Sequence, residues 1–212
     1  ENVGRLNEAI ENFRLSVELS EPNSYIYFRI AKCYRKQDNK KLFLNYIKNS
    51  LREEPGNEKA WVYLIKYYIK NKNLRQASYL ALKALNNNHN SIKILELNAI
   101  INRNKGNIKE AITIYNQIID FKENLSWKIW KGLLKCLIEN KHWSDLLKIS
   151  LRAKKKYPNK AFLDFIISGC LLKNGKLNEA IYFYQSGKKT CQIPEKLIKS
   201  FPEFTQNKTL LV

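Results

Sequence analysis

The sequence predicts an all-α fold, a solenoid of stacked helix-turn-helix repeats, and three observations predict it. One phrase occurs three times, as Gly4-Arg5-Leu6-Asn7-Glu8-Ala9-Ile10, Gly106-Asn107-Ile108-Lys109-Glu110-Ala111-Ile112 and Gly175-Lys176-Leu177-Asn178-Glu179-Ala180-Ile181. A degenerate copy, Lys72-Asn73-Leu74-Arg75-Gln76-Ala77, lies between the first two. With Ala9 as anchor, equivalent positions fall at Phe43, Ala77, Ala111, Leu146 and Ala180, spaced by 34, 34, 34, 35 and 34 residues. A sustained period of that length is the signature of a repeat array. Finally, 7 Gly and 5 Pro in 212 residues are too few for a turn-rich all-β chain.

The array is expected to run over residues 1–194, as a half repeat (1–23) and five full repeats (24–57, 58–91, 92–126, 127–160 and 161–194). The half repeat holds a single helix over residues 7–19, which leaves one repeat face bare. More chain ahead of Glu1 would explain that face most simply, because a solenoid end needs a polar cap. In the full repeats, apolar residues such as those in 60–69 and 76–85 recur at three- and four-residue intervals, the helical period. The Gly or Asn between the two helices is expected to supply a tight turn with positive φ. Pro55 and Pro158 fall at one phase and close the second helix of their repeats. Small anchors at Ala77, Ala111 and Ala180 let helix backbones approach closely, whereas Phe43 and Leu146 should push their pairs apart. Beyond Pro194, residues 195–212 read as a short capping helix over 195–204, interrupted at Pro202, and a frayed tail from 205.

Residue by residue, these units resemble the tetratricopeptide repeat family. Its 34-residue helix-turn-helix carries W-x2-L-G-x2-Y and then A, F, A and P. The second full repeat has Trp61, Leu64, Tyr68, Ala77, Ala81 and Ala84 in those places, and the first has Tyr27, Ile30, Ala31, Tyr34, Ser50 and Pro55. The fourth has Trp130, Leu133, Leu137, Ala153 and Pro158; the fifth has Ser168, Ala180, Tyr184 and Gly187. The third is poorest, with Asn98 and Asn102 at normally apolar or aromatic positions. The match covers about residues 4–192, and it is specific for architecture. It implies a right-handed superhelix and a non-enzymatic scaffold that binds another protein.

Charge narrows the partner. Against 19 Asp plus Glu stand 38 Lys plus Arg, a formal net charge of +19. Residues 1–106 carry 19 basic and 10 acidic groups and residues 107–212 carry 19 and 9, so the excess is no tail. Such a field attracts acidic proteins, nucleic acid or anionic surfaces. The over-use of Lys, Asn and Ile is also what an AT-rich genome imposes on any protein surface.

In the family that the sequence resembles, the first helix of each repeat lines a concave groove, through the second, fifth, ninth, twelfth and thirteenth positions. The resemblance places Tyr25, Lys59, Lys93, Lys128 and Phe162 at the second position and Phe28, Val62, Glu96, Lys131 and Phe165 at the fifth. Lys32, Lys66, Ile100, Lys135 and Gly169 take the ninth, with Arg35, Lys36, Lys70, Arg103 and Lys173 beyond. The expected partner site is therefore Lys32, Arg35, Lys59, Lys66, Lys93, Lys128, Lys131 and Lys135, with Phe162 and Phe165 as an apolar anchor. A basic ladder suits an extended acidic peptide. The family's two-carboxylate clamp for chaperone tails needs a combination of Lys and Asn that is missing here.

Two other readings stand beside it. Single-stranded nucleic acid could use the same groove, stacking bases on Tyr25, Phe28, Trp127 and Trp130; most aromatic residues, however, occupy core positions of the repeat. Alternatively the array belongs to a larger enzyme or signalling protein whose active domain lies upstream. Within this sequence no phosphate loop, nucleophile elbow or paired-histidine motif points to catalysis, and no cofactor or metal is implied. Cys33, Cys136 and Cys170 share one repeat phase and read as core, Cys191 stands apart, and His89 and His142 lack a ligand spacing. The Lys154-Lys155-Lys156 run ends a helix, where cations offset the macrodipole. The sequons at Asn124 and Asn207 have meaning only in a secreted, glycosylated protein. No apolar run reaches the roughly 18 residues of a membrane span. A reducing cytoplasmic setting is expected, and the bare first face offers a homodimer contact.

Overall fold

The computed structural model of the chain describes residues 2–19, 23–88, 90–121 and 125–207. His89, Asn124 and the tail from residue 208 lie outside the described residues. Thirteen helices and no strand occur among those described, and the chain divides into two compact units, residues 1–105 and 106–212.

The first unit contains α1 (Asn2–Leu19), α2 (Ser24–Lys36), α3 (Lys40–Glu53), α4 (Glu58–Lys70), α5 (Leu74–Asn87) and α6 (Ile92–Asn104). Each helix packs on the next in sequence, and α4 also packs on α6. The second unit contains α7 (Ile108–Phe121), α8 (Trp127–Glu139), α9 (Trp143–Lys156), α10 (Ala161–Lys173) and α11 (Leu177–Lys188). Two short helices, α12 (Glu195–Ser200) and α13 (Glu203–Gln206), follow, and α13 packs on α10.

The three-residue turns within the helix pairs share one device. Positive φ recurs at Asp38 (57°), Lys72 (57°), Gly106 (85°), Lys141 (56°) and Gly175 (72°), spaced by the repeat period. Around Lys72, the amide of Asn73 donates to the carbonyl of Tyr68 (3.0 Å) and that of Lys72 to Ile69 (3.0 Å). These are the two crossing bonds of a Schellman motif, which satisfy carbonyls that the helix end leaves unpaired. Asp38, Lys141 and Gly175 repeat the pattern, through Asn39 to Tyr34, His142 to Leu137 and Lys176 to Leu171. The expectation for asparagine needs correcting here. Asn39 and Asn73 do not supply the positive φ; they cap the following helix, their Oδ1 accepting from the amides of Leu42 and Gln76. Capping is the better use of a short side chain that accepts hydrogen bonds. Gly4, at the phase of Gly106 and Gly175, lies inside α1, which starts at Asn2 rather than residue 7.

The anchor residues Phe43, Ala77, Ala111, Leu146 and Ala180 are all fully buried. Phe43 fills its place with aromatic contacts, its ring 4.8 Å from that of Tyr67 and 6.0 Å from that of Tyr63. Buried polar groups are tied together: Asn57 donates to Ser24 Oγ (2.7 Å), which lies 3.1 Å from Ser50 Oγ, linking α2, α3 and the lead into α4.

In the second unit α10 is enclosed on all sides, with every residue from Leu163 to Leu171 buried. A helix apolar around its whole circumference needs partners all round. It finds them in α9, α11 and the C-terminal pair. Phe201 and Phe204 are buried, and the Phe201 ring sits where a Cβ on Gly169 would lie, 2.6 Å away.

Candidate partner-binding site

On the first helix of each pair, residues three and four apart share a face. In the first unit, the stripe on α4 consists of Lys59 and Lys66, both exposed and without a salt bridge among the described residues, with half-buried Val62 between them. On α2, Lys32 is half-buried, its ammonium 5.8 Å from the centre of the Phe28 ring. Arg35 is held more firmly. Its guanidinium lies 4.5 Å from the Tyr67 ring centre and 5.8 Å from that of Phe43, with Asp38 at 3.8 Å. This cation–π stacking ties α2 to α3 and α4 and withdraws Arg35 from the surface.

Lys93 on α6 is exposed, but its charge is answered. Its Nζ lies 2.8 Å from Glu58 Oε2, and Ser91 Oγ donates to Glu58 Oε1 at 2.6 Å. The hydrogen bond from Lys93, then that from Ser91, hold the Glu58 carboxyl below its ordinary value of 4.5, with burial opposing them.

In the second unit, Lys128, Lys131 and Lys135 form one exposed stripe along α8, opposite the buried Ile129, Leu133 and Leu137. Phe162 is half-buried at the start of α10. Phe165 cannot be an anchor for a partner. It is completely buried, 5.9 Å from the Tyr184 ring and close against Gly187, because α11 and the C-terminal helices cover that face of α10. Lys173, at a later groove position, is likewise engaged, 2.5 Å from Glu203 Oε1 and 4.9 Å from the Trp143 ring centre. Nothing in the α10 sequence announces this cover except its apolar residues on every side, broken only by Asp164 and Ser168.

The aromatic residues offer little for stacking bases. Phe28 and Trp130 are buried, and Trp127 packs half-buried against Tyr157 at 5.5 Å. Tyr25 is exposed, with Arg29 bonded to its hydroxyl at 2.8 Å. Two cysteines of the shared phase, Cys136 and Cys170, are buried and Cys33 is half-buried, while Cys191 is exposed. Burial pushes the Cys170 thiol up to about 12, against a weaker pull from Lys173, so it is not a nucleophile at neutral pH. Among the described residues no group of three or more His, Cys, Asp or Glu is placed to hold a metal, and no helix is long and apolar enough to cross a membrane.

A feature that sequence reasoning missed lies on the other side of α4. There α3 and α5 flank a cavity of about 470 Å³ whose floor is Trp61, Leu64 and Tyr68. The sequence signal for it is Tyr79, an aromatic residue displaced from the Ala77–Leu80–Ala81–Ala84 core face of α5 and 59% exposed.

No protein-family model matches the sequence, and no curated protein matches it. Solved structures do. The chain is similar to a tetratricopeptide repeat protein from Parabacteroides merdae, with 20% identity and a TM-score of 0.54 over 96% of this chain and 79% of that one. It is similar to YrrB, a tetratricopeptide repeat protein with an unusual peptide-binding site, at 13% identity and a TM-score of 0.66, covering 92% of this chain and 95% of that one. It is also similar to PilF of Pseudomonas aeruginosa, at 11% identity and a TM-score of 0.68, covering 97% and 91%. The chain thus has the all-α fold of the tetratricopeptide repeat proteins.

Proposed function

We propose that the chain is a non-enzymatic scaffold for protein–protein interaction and that the basic faces of its first helices each hold an acidic, extended segment of a partner. The observation that carries this reading is the exposed lysine stripe on a first helix of each unit, Lys59 and Lys66 on α4 and Lys128, Lys131 and Lys135 on α8. A stripe of one sign attracts an acidic segment at long range and fixes its register. The fold of YrrB, a protein with a peptide-binding site, supports the same class of ligand. Lys32 on α2 and Phe162 on α10 hold the repeat positions that Lys66 and Lys59 hold on α4, and would contribute beside their own helices.

Reversing Lys59, Lys66, Lys131 and Lys135 to Glu tests the reading. Helicity should be unchanged, since all four are exposed, while binding of a poly-glutamate peptide should weaken by about tenfold or more, mainly through the association rate. Unchanged binding would move the site off these helices. Preferential binding of oligo-dT over poly-glutamate would make the ligand a nucleic acid instead.

A further inference from the structure

The cavity between α3 and α5 has the composition of a binding surface and stands apart from the lysine stripes. At about 100° per residue, Trp61, Leu64 and Tyr68 point from α4 away from the side that carries Lys59, Val62 and Lys66. The floor is largely apolar, and Trp61 Nε1 donates to the Pro55 carbonyl at 2.7 Å. Leu44 and Leu51 of α3 form one wall, and Tyr79 and Leu80 of α5 the other. Tyr79 is 59% exposed, so an occupant would bury apolar surface that now faces water.

Charge selects the occupant. Lys48 and Arg52 on one rim and Lys83 on the other are exposed, and among the described residues no salt bridge engages them. No carboxylate lines the cavity. The walls run from Leu44 to Arg52 and from Gln76 to Asn87, about 12 and 16 Å at 1.5 Å per residue, or two to three turns of a helix.

We propose that this trench is a second docking site, which takes a short amphipathic helix of an acidic protein partner. Apolar side chains at i, i+3 or i+4, and i+7 would enter between α3 and α5, and flanking Asp or Glu would meet Lys48, Arg52 and Lys83. The site would act independently of the lysine stripes, so one array could bridge two acidic segments.

The test uses the full chain and a fluorescent probe peptide of Leu and Glu, with Leu at helical spacing, beside a control of equal composition with the Leu positions scrambled. Anisotropy titration should show the patterned peptide binding at least about tenfold more tightly than the scrambled one. Lys48→Glu, Arg52→Glu and Lys83→Glu together should abolish that preference, whereas Lys59→Glu with Lys66→Glu should leave it intact. Tyr79→Ala, on an exposed wall, should weaken the patterned peptide alone. Equal binding of both peptides, or no binding of the patterned one at millimolar concentration, would overturn the proposal. Loss through Lys59→Glu with Lys66→Glu would overturn it too, by placing the peptide on the stripe, and that outcome leaves the stripe reading standing.

Discussion

Lys72 and Lys141 occupy backbone conformations that cost an L-residue with a Cβ roughly 1–2 kcal/mol, at the turn where Gly106 and Gly175 do so freely. The surrounding Schellman bonds and the helices on both sides hold them there. Lys72→Gly and Lys141→Gly should each raise stability by about 0.5–1 kcal/mol, the relief at φ near 57° being partly offset by the greater freedom of glycine in the unfolded chain. Urea denaturation would check this, and a loss of stability would mean that the lysine side chains hold the turns. Glu58 makes a different kind of contribution. Its carboxyl is held low by Lys93 and Ser91, so the stabilisation is present above the ordinary carboxylate value of 4.5 and is lost as pH falls through the folded value. Because Lys93 is 65% exposed, solvent screening limits it to at most about 1 kcal/mol. Glu58→Gln should therefore cost about that much at pH 7 and progressively less as the pH is lowered below 4.5, read from melting curves across that range.

Between helices, close packing sets the order of importance. A side chain on Gly169 would enter the Phe201 ring, and Leu197 of α12, Phe201 just after it and Phe204 of α13 are what the C-terminal pair brings to the core. Gly169→Leu should displace the C-terminal pair, exposing residues 195–206 to protease while α7 to α9 stay protected; unchanged cleavage would mean that the pair is not held by this contact. How far such elements are legible in sequence depends on whether their partners are local. The helix pairs repeat a phrase, and the apolar period along each helix marks its buried face. Phe165 failed as a surface residue because it packs on Tyr184 and Gly187 of α11, a contact between helices that its own repeat position does not announce. Arg35 was legible as a cation but not as one stacked on aromatic rings, since its neighbours Phe43 and Tyr67 come from two other helices. The α3–α5 trench was missed because its floor residues are the aromatic and leucine positions expected to be core.

For the molecule as a whole, the formal charge of +19 has two consequences of different specificity. Diffuse positive potential draws any polyanion, and its effect collapses as ionic strength rises past the point where the Debye length is about 8 Å. Stripes of lysine with apolar surface beside them instead retain a discrete partner after the long-range field is screened. The two are separable by one measurement, the recovery of partners on the immobilised chain from its own source lysate, with nuclease and at rising salt. The scaffold account predicts a discrete acidic protein that survives nuclease and persists at physiological ionic strength. Bound material that vanishes with nuclease and falls steeply with salt would contradict it, and would assign the basic surface to nucleic acid.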